Sequence, residues 1–249
     1  MFGNSRKLEI WIIEDETDLC EMLTLSFRSQ GHCVVQFSRA DSFLETFNSG
    51  KTSDIVITDI RFPIGLNGKE LLKTIKERNP FTPPVIIITA YEDYSVRTLY
   101  DEGAESIFVK PFNLQEIDSA INRLTLPIKN RFSLSVEEFT LHFSNYVRTI
   151  DTKEIIDYDF GRGGLCIRSS QKLNINEFVN FTINMREIDN YKPEITGIIR
   201  WYNPIKPQPE YGIEIINVNP PDLFLDLLEK TLPVAYIPKG IRNHKTKEK

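Results

Sequence analysis

The first half of the chain alternates short, nearly continuous apolar runs with longer stretches in which apolar residues recur every three or four positions. The short runs are typical of strands covered on both faces, and the longer period is typical of amphipathic helices. This alternation predicts an α/β domain with a doubly wound, five-stranded parallel sheet. The predicted strands are Leu8–Ile13, Cys33–Gln36, Ile55–Thr58, Val85–Thr89 and Ile107–Val109, and the predicted helices cover 17–29, 41–48, 68–78, 93–102 and 113–125.

The second half changes to short strand-like runs separated by polar turns. Several of these runs alternate between apolar and polar positions, which is typical of antiparallel strands with one solvated face. Six such runs favour a small antiparallel β-barrel or sandwich, followed by one helix with an apolar face from Leu223 to Leu228. The predicted strands are Phe139–Phe143, Glu154–Tyr158, Gly164–Arg168, Glu177–Asn184, Glu194–Trp201 and Tyr211–Val218.

The two patterns meet near Pro127, where the helical periodicity ends and a short polar connector follows. We therefore predict a first domain over 1–125, a linker over 126–131, a barrel with its C-terminal helix over 132–232, and a basic tail over 233–249. The second half shows no helix-turn-helix pattern, so DNA binding is not expected of it.

Composition and charge narrow the class of protein. With 41% apolar and 26% charged residues among 249, the chain is globular rather than disordered. No apolar run approaches the ~20 residues that cross a bilayer, and the N-terminus lacks a signal-peptide cleavage site. Three cysteines without a CxxC motif argue against a disulfide framework or a zinc site. We expect a soluble, cytoplasmic protein whose first 126 residues carry a net charge of −6 and the rest +1.

Polar residues follow the ends of the predicted parallel strands. Ligands of such sheets bind beyond the carboxyl ends of the strands, so these residues should share one crevice. Three carboxylates in one place repel one another unless a cation or a proton intervenes, and an all-oxygen set suits Mg²⁺. A nearby lysine and threonine suit the oxygens of a phosphoryl group, which makes Asp59 a candidate nucleophile. The residues concerned are Glu14, Asp15, Asp59, Thr89 and Lys110.

These residues, in this order, resemble the receiver domain of two-component response regulators, which has a flavodoxin-like fold. The matching elements are Glu14-Asp15, Asp59, Thr89-Ala90 and Lys110-Pro111-Phe112, and the resemblance covers residues 6–125. Each element alone is weak, but the ordered set is specific.

The resemblance implies a role for each residue. Asp59 would accept phosphate from a histidine kinase or a phosphotransfer protein. Asp15, Asp59 and the backbone carbonyl of Arg61 would bind Mg²⁺ directly, with Glu14 acting through water. Thr89 and Lys110 would hold the phosphate, and the Lys110–Pro111 peptide bond would be cis.

Two departures from the family pattern affect signalling rather than chemistry. The family's switch aromatic is replaced by Ile107, and the neighbouring Phe108 should face the other side of the strand. The loop from Ile60 to Gly68 also has one residue more than the usual pattern. The usual threonine–aromatic relay is therefore in doubt.

The second half contains a glycine-dense segment, from Asp157 to Ile167. Such a segment either lets the backbone approach a ligand or makes a tight barrel corner. Together with Gly197–Trp201 and Tyr211–Glu214, it resembles a PilZ domain over about 131–219. The resemblance implies binding of the bacterial second messenger cyclic di-GMP, through an RxxxR motif and a D/N-x-S-x-x-G motif.

Both PilZ motifs are incomplete in this sequence. Asp159 and Gly164 fit the second motif, but Gly161 replaces its serine. Arg131 fits the first arginine of the other motif, and Ser135 occupies the place of the second. Loss of one charge-assisted contact of roughly 1.5–3 kcal/mol predicts weak binding. Substitutes for the missing arginine are Arg148 and Arg162.

The sequence thus predicts a response regulator that takes phosphate on Asp59 and controls a PilZ-like output. One version is a weak cyclic di-GMP sensor, and the alternative is a phosphorylation-controlled protein-interaction module. No constellation of catalytic residues appears after residue 126, so enzymatic activity is not expected beyond phosphate acceptance and slow loss at Asp59. A downstream protein partner and a homodimer are further expectations.

Overall fold

The structure is a computed structural model that describes residues 6–79, 82–90, 96–132, 147–161, 164–186, 188–204 and 207–227. Its contacts divide the chain into two compact units, with the division between Thr125 and Leu126. The predicted strand 139–143 and the predicted tail 233–249 lie outside the described residues. None of the helices in these ranges is both long enough and apolar enough to cross a membrane.

The first unit is the five-stranded parallel α/β sheet that the apolar pattern predicts. Its strand order is β2-β1-β3-β4-β5, and every neighbouring pair is parallel. The strands are β1 (Glu9–Ile13), β2 (Cys33–Phe37), β3 (Ile55–Asp59), β4 (Val85–Thr89) and β5 (Ser106–Val109). The helices are α1 (Thr17–Ser29), α2 (Ala40–Asn48), α3 (Gly68–Arg78), α4 (Val96–Glu102) and α5 (Leu114–Leu124).

The sheet separates two hydrophobic layers, which explains the continuous apolar strands. Alternate residues of one strand enter different layers: Trp11 packs with the α2 and α3 side chains, whereas Ile12 packs with those of α1 and α5. Strands β3 and β4 are buried along their whole length. The strand order reverses between β1 and β3, and the carboxyl ends at that switch point open a crevice.

The second unit contains one six-stranded sheet, in the order β6-β9-β10-β11-β8-β7. The predicted antiparallel arrangement holds except at one edge, where the short strand β6, which the sequence pattern did not reveal, pairs parallel to β9. All other neighbouring pairs are antiparallel. The strands are β6 (Val147–Thr149), β7 (Ile155–Gly161), β8 (Gly164–Ser169), β9 (Phe178–Thr182), β10 (Glu194–Asn203) and β11 (Glu210–Asn219).

The sheet of the second unit curves until its two ends approach each other. Strand β7 forms one edge, yet the chain around it bonds to the chain around β9, near the other edge. The Thr152 hydroxyl, just before β7, donates to the Thr182 carbonyl at 2.8 Å. Arg186, just after β9, donates to the Tyr158 carbonyl of β7 and to the Asp157 carboxylate.

The predicted linker region contains a short helix, α6 (Ile128–Arg131), which is continuous with the second unit. Phe132 directly after it is buried against Phe224, with ring centroids 5.5 Å apart. The Phe132 carbonyl accepts a hydrogen bond from the amide of Val218 at 3.1 Å. Phe224 belongs to the described part of a C-terminal helix, 222–227, whose apolar face closes the core of the unit.

Candidate functional site

An open cleft of about 590 Å³ lies beyond the carboxyl ends of β1 and β3. Its position follows from the topology, because the chain leaves these two adjacent strands in opposite directions. The residues that line it come from the loops after the two strands: Glu14, Asp15, Glu16, Asp59, Ile60, Arg61, Phe62, Pro63 and Asn67.

Asp59 ends β3 and is the most strongly held carboxylate of the cleft. Its Oδ1 accepts hydrogen bonds from the backbone amides of Ile60 and of Arg61, the latter at 3.0 Å. Its Oδ2 accepts from Lys110 Nζ at 2.6 Å. With about a tenth of its side chain exposed, Asp59 is fixed in orientation yet open to a small reactant.

Glu14 and Lys110 complete a cluster of alternating charge. Lys110 Nζ also donates to Glu14 Oε2 at 3.2 Å, and the Glu16 amide donates to Glu14 Oε1 at 3.1 Å. Burial is the main reason why the pKa of Glu14 is raised to about 7, and the nearby negative charge of Asp59 raises it further. The hydrogen bond from the Glu16 amide and the positive charge of Lys110 lower this pKa and so oppose part of the rise. For Lys110, burial lowers the pKa, but the bonds and charges of Asp59 and Glu14 outweigh it and raise the pKa.

The other predicted residues surround this cluster. Asp15 and Arg61 are exposed and line the same cleft. Thr89 ends β4 and is buried; its hydroxyl donates to the Ala90 carbonyl at 3.3 Å, and its own carbonyl accepts from the Lys110 amide at 2.8 Å. The Lys110–Pro111 peptide bond is cis, as the resemblance implies. Thr89 at the end of β4 and Lys110 directly after β5 are neighbours, and Lys110 contacts Asp59.

The donor set of the cleft fits a hard dication. Carboxylate oxygens of Asp15 and Asp59 and backbone carbonyls are the ligands that Mg²⁺ takes, often only one or two carboxylates with water and phosphate oxygens completing the shell. Within the described ranges, no three side chains of His, Cys, Asp or Glu are grouped so as to hold a metal ion by themselves. The chemistry therefore suits Mg²⁺ shared with a phosphate better than a closed protein cage.

The family resemblance implies an aromatic residue at position 107, where this chain has isoleucine. Ile107 lies in the hydrophobic layer that contains Leu99 of α4, whereas Phe108 lies in the opposite layer with Ile117 and Ile121 of α5. The expectation that the two side chains face opposite sides of β5 is confirmed. Phe108 therefore cannot act in place of the missing aromatic.

Sequence reasoning missed Asn67, which lines the cleft and begins α3. Its side chain accepts from the Glu70 amide at 3.0 Å while the Glu70 carboxylate accepts from the Asn67 amide at 3.0 Å, which is a capping box. An asparagine followed three residues later by a glutamate is the sequence signal that could have found it.

In the second unit, three of the four predicted ligand residues come together. Asp159 is exposed on β7 opposite Cys166, and Gly161 pairs with Gly164 where β7 turns into β8. A Cβ on Gly164 would lie less than 3.0 Å from the Ile213 carbonyl, so this glycine is explained by the close approach of β11.

The fourth residue, Arg131, is on α6, where its Nε donates to the Leu126 carbonyl at 2.9 Å. Of the suggested substitutes, Arg148 donates to the Lys172 carbonyl and to Glu177, and Arg162 lies outside the described residues, as does Ser135. The sequence pattern did not single out Arg168 and Arg186, whose guanidinium groups lie 3.2 and 2.9 Å from the Asp157 carboxylate.

The first unit is thus a doubly wound α/β domain with a cluster of carboxylates in the cleft at its switch point. Residues 10–122 match the family model described as the response regulator receiver domain. The N-terminal part of the chain is therefore a receiver domain, the phosphoacceptor of two-component signalling.

Known proteins resemble mainly this part of the chain. The DNA-binding transcriptional regulator NtrC of Escherichia coli (strain K12) is 34% identical over 115 residues, or 46% of this chain, and the chain spans about a quarter (24%) of that relative. The response regulator TrrA of Thermotoga maritima, solved in complex with Mg²⁺ and BeF, is 28% identical with a TM-score of 0.43, covering 48% of this chain and 99% of TrrA. The sensory transduction protein LytT of Oceanobacillus iheyensis is 26% identical over 256 residues, covering 92% of this chain and 93% of LytT.

Proposed function

We propose that the chain is a response regulator in which Asp59 accepts a phosphoryl group and thereby controls the second unit. The observation that carries this proposal is the contact of Lys110 Nζ with both Asp59 Oδ2 and Glu14 Oε2, whose residues line the cleft. A lysine in this place can release the carboxylate to a phosphoryl group and then pair with the new negative charge.

In the proposed reaction, a carboxylate oxygen of Asp59 attacks the phosphorus of a phosphohistidine or of acetyl phosphate. The new oxygen–phosphorus bond forms as the bond to the donor's nitrogen or oxygen breaks, and the donor keeps the electron pair. The amides of Ile60 and Arg61 hold Oδ1 and so orient the carboxylate. Thr89 and Lys110 would hold the oxygens of the transferred group.

Asp15, Asp59 and the Arg61 carbonyl would hold Mg²⁺, with Glu14 acting through water. The TrrA relative was solved with this metal. When bound, Mg²⁺ supplies neutralisation of the negative charge that develops between phosphate and carboxylate. The phosphate donor would be a sensor histidine kinase or a phosphotransfer protein, and we propose the cytoplasm as the place where they meet. Beyond its own phosphorylation, the chain would not be an enzyme.

Replacing Asp59 with Asn tests this function while leaving the size of the side chain unchanged. Wild type incubated with acetyl phosphate and Mg²⁺ should gain one phosphoryl group by intact-mass spectrometry, and Asp59→Asn should gain none. Asp41→Asn, which changes a half-exposed aspartate whose carboxylate accepts from Arg39, is the control and should label like wild type. Labelling that persists in Asp59→Asn would reject Asp59 as the acceptor.

For the second unit we propose a PilZ-like barrel over 132–232 that transmits the signal. Support comes from the approach of the two sheet edges near Tyr158 and Arg186, which is the curvature that a barrel needs. The exposed Asp159, beside Gly161 and Gly164 on one hairpin, supports a residual cyclic di-GMP site that also includes Arg131.

The alternative is an interaction module that binds a downstream protein and no nucleotide. A specific observation favours it: Arg131 donates to the Leu126 carbonyl and so holds its own helical turn. A ligand would have to replace that bond. A homodimer stays a proposal in either version.

Isothermal titration of the full chain with cyclic di-GMP separates the two versions. The sensor version predicts micromolar or weaker binding (about −8 kcal/mol or less favourable), lost in Asp159→Ala and tightened by roughly 1–3 kcal/mol in Ser135→Arg. Glu194→Ala, which removes an exposed carboxylate at the start of β10, is the control. No heat of binding with wild type or with Ser135→Arg would leave the interaction module.

A further inference from the structure

Gly68, the first residue of α3, lies directly against the backbone of the phosphoacceptor. Its amide donates to the Ile60 carbonyl at 2.8 Å. A Cβ on Gly68 would lie 2.7 Å from the Ile60 Cα and closer still to the Asp59 carbonyl oxygen, and real Cβ atoms essentially never come within 3.0 Å of another heavy atom. Both neighbours are backbone, so no side-chain rotation could relieve the collision.

The backbone that Gly68 contacts is the same backbone that orients the acceptor. The Ile60 and Arg61 amides donate to Oδ1 of Asp59, and the Asp59–Ile60 peptide unit joins these donors to the carboxylate. A shift of this peptide unit would therefore move the nucleophile and its two donors together.

The collision could also be relieved if α3 moved away from the Asp59–Ile60 backbone, but other contacts hold the helix in place. The reciprocal bonds of Asn67 and Glu70 fix its first turn, both at 3.0 Å. One turn further on, Leu71, Leu72 and Ile75 are fully buried in the hydrophobic layer. Because interiors are close-packed, a retreat of the helix would open a void, so an added methyl group would displace the acceptor loop.

We infer that Gly68 is a positioning residue for phosphoryl transfer: the absence of a side chain there sets the place of the Asp59 carboxylate. The inference rests on the proposed function, in which Asp59 is the acceptor. Thr89 lies at the end of β4 and Lys110 directly after β5, and the atoms that a Gly68 Cβ would meet first belong to Asp59 and Ile60 instead. The groups proposed to hold the phosphate should therefore be displaced less than the acceptor. Displacing Asp59 should therefore change the rate of attack and leave donor binding nearly unchanged.

The test is the rate of phosphorylation of the full chain by acetyl phosphate at saturating Mg²⁺. Here kcat is the rate constant of phosphorylation at saturating acetyl phosphate, and KM is the acetyl phosphate concentration that gives half of this rate. Gly68→Ala should lower kcat about tenfold or more, since small misplacements of a reacting group have effects of this size, with KM within about twofold. Alanine has a higher helix propensity than glycine, so local propensity alone predicts a more stable helix and no loss of phosphorylation rate.

Gly50→Ala is the matched control for lost stability. Gly50 has a φ of +91°, which strains an alanine, and no atom lies within 4 Å of its would-be Cβ. It should lower the unfolding temperature while kcat stays within about twofold of wild type, because a purely structural loss does not change the rate per folded molecule.

The outcomes separate the inference from the function beneath it. If wild type is labelled at Asp59 and Gly68→Ala keeps the wild-type kcat, the positioning role is rejected and the proposed function stands. If wild type is not labelled at Asp59, both fail. Should Gly68→Ala not fold, Glu70→Ala is tested in its place, with Lys73→Ala on the same helix as its control. We expect kcat to fall about two- to fivefold in Glu70→Ala and to stay unchanged in Lys73→Ala. Equal rates in these two variants would overturn the inference.

Discussion

Lys110 Nζ lies 2.6 Å from Asp59 Oδ2, although the two residues are 51 positions apart in the chain. The same nitrogen is 3.2 Å from Glu14 Oε2, so one ammonium group serves two largely buried carboxylates. Without it, two largely buried negative charges would lie close together with no positive charge between them. This arrangement makes the lysine both part of the proposed chemistry and a support of the fold.

Lys110→Met should therefore destabilise the first unit by about 1–3 kcal/mol, the range for hydrogen bonds to charged groups. Added Mg²⁺ should recover more stability in the variant than in wild type, because a dication can replace the missing positive charge. Urea unfolding, followed by Trp11 fluorescence in a Trp201→Phe background, measures both. The control is Lys69→Met, whose partner Glu102 is 3.7 Å away and partly exposed; it should change stability by less than about 1 kcal/mol. Equal effects of the two variants would contradict the prediction.

A second prediction concerns a buried ion pair at the other end of the sheet. Lys76 Nζ donates to Glu105 Oε1 at 2.9 Å and to the Pro83 carbonyl at 2.8 Å, with 0% and 5% of the two side chains exposed. Lys76→Met leaves the Glu105 charge buried and should cost about 3–5 kcal/mol. The double variant Lys76→Met/Glu105→Gln should be more stable than the single one, since no charge remains.

The Lys76 prediction uses the same unfolding measurement. Lys73→Met, on the exposed face of the same helix, should stay within about 0.5 kcal/mol of wild type. If the double variant were no more stable than Lys76→Met, an uncompensated charge would not be the cause.

A third prediction gives stability a dependence on pH through Asp118 of α5. Burial raises the pKa of this carboxyl, while the hydrogen bond from Gln30 and the charge of His32 partly oppose the rise. A carboxyl whose folded-state pKa is raised binds its proton more tightly in the folded state, so it destabilises the fold at neutral pH, and this cost disappears as pH falls through the raised pKa. Asp118→Asn should thus stabilise the protein at pH 7, and this gain should shrink as the pH falls toward 4.

Unfolding free energies at both pH values check the Asp118 prediction, with Glu21→Gln on the exposed face of α1 as control. A gain that is the same at both pH values would point to a cause other than titration.

A fourth prediction concerns the approach of the sheet edges in the second unit. The Arg186 guanidinium donates to the Tyr158 carbonyl and to Asp157, and its Cζ lies 4.5 Å from the centroid of the Tyr158 ring. Because about half of the side chain is exposed (56%), Arg186→Ala should cost only about 1 kcal/mol, but the loss should fall on β7. Amide hydrogen exchange over residues 155–161 should accelerate, whereas Lys192→Ala in the same loop should leave it unchanged. Unchanged exchange in Arg186→Ala would mean that other contacts hold this edge.

Much of the first unit was predictable from the sequence, because the signals are local. Continuous apolar runs marked five strands, and the predicted helices 17–29 and 68–78 agree with α1 (Thr17–Ser29) and α3 (Gly68–Arg78). The gathering of Glu14, Asp59 and Lys110 also followed, since the carboxyl ends of parallel strands meet at one edge whatever the details of packing.

Tertiary structure alone decided the rest. The sequence could not show that β6 pairs parallel to β9, since strand pairing depends on distant partners and β6 has only three residues. The sequence pattern predicts a solvated helix position for Lys76, yet this side chain is buried because Glu105 and the Pro83 carbonyl accept hydrogen bonds from its ammonium group. The sequence predicts only that Gly68 begins a helix. The tertiary structure shows that no side chain fits there, because a Cβ would collide with the backbone of Asp59 and Ile60. Local periodicity thus determined which elements form, and close packing between distant segments determined which side chains those elements can carry.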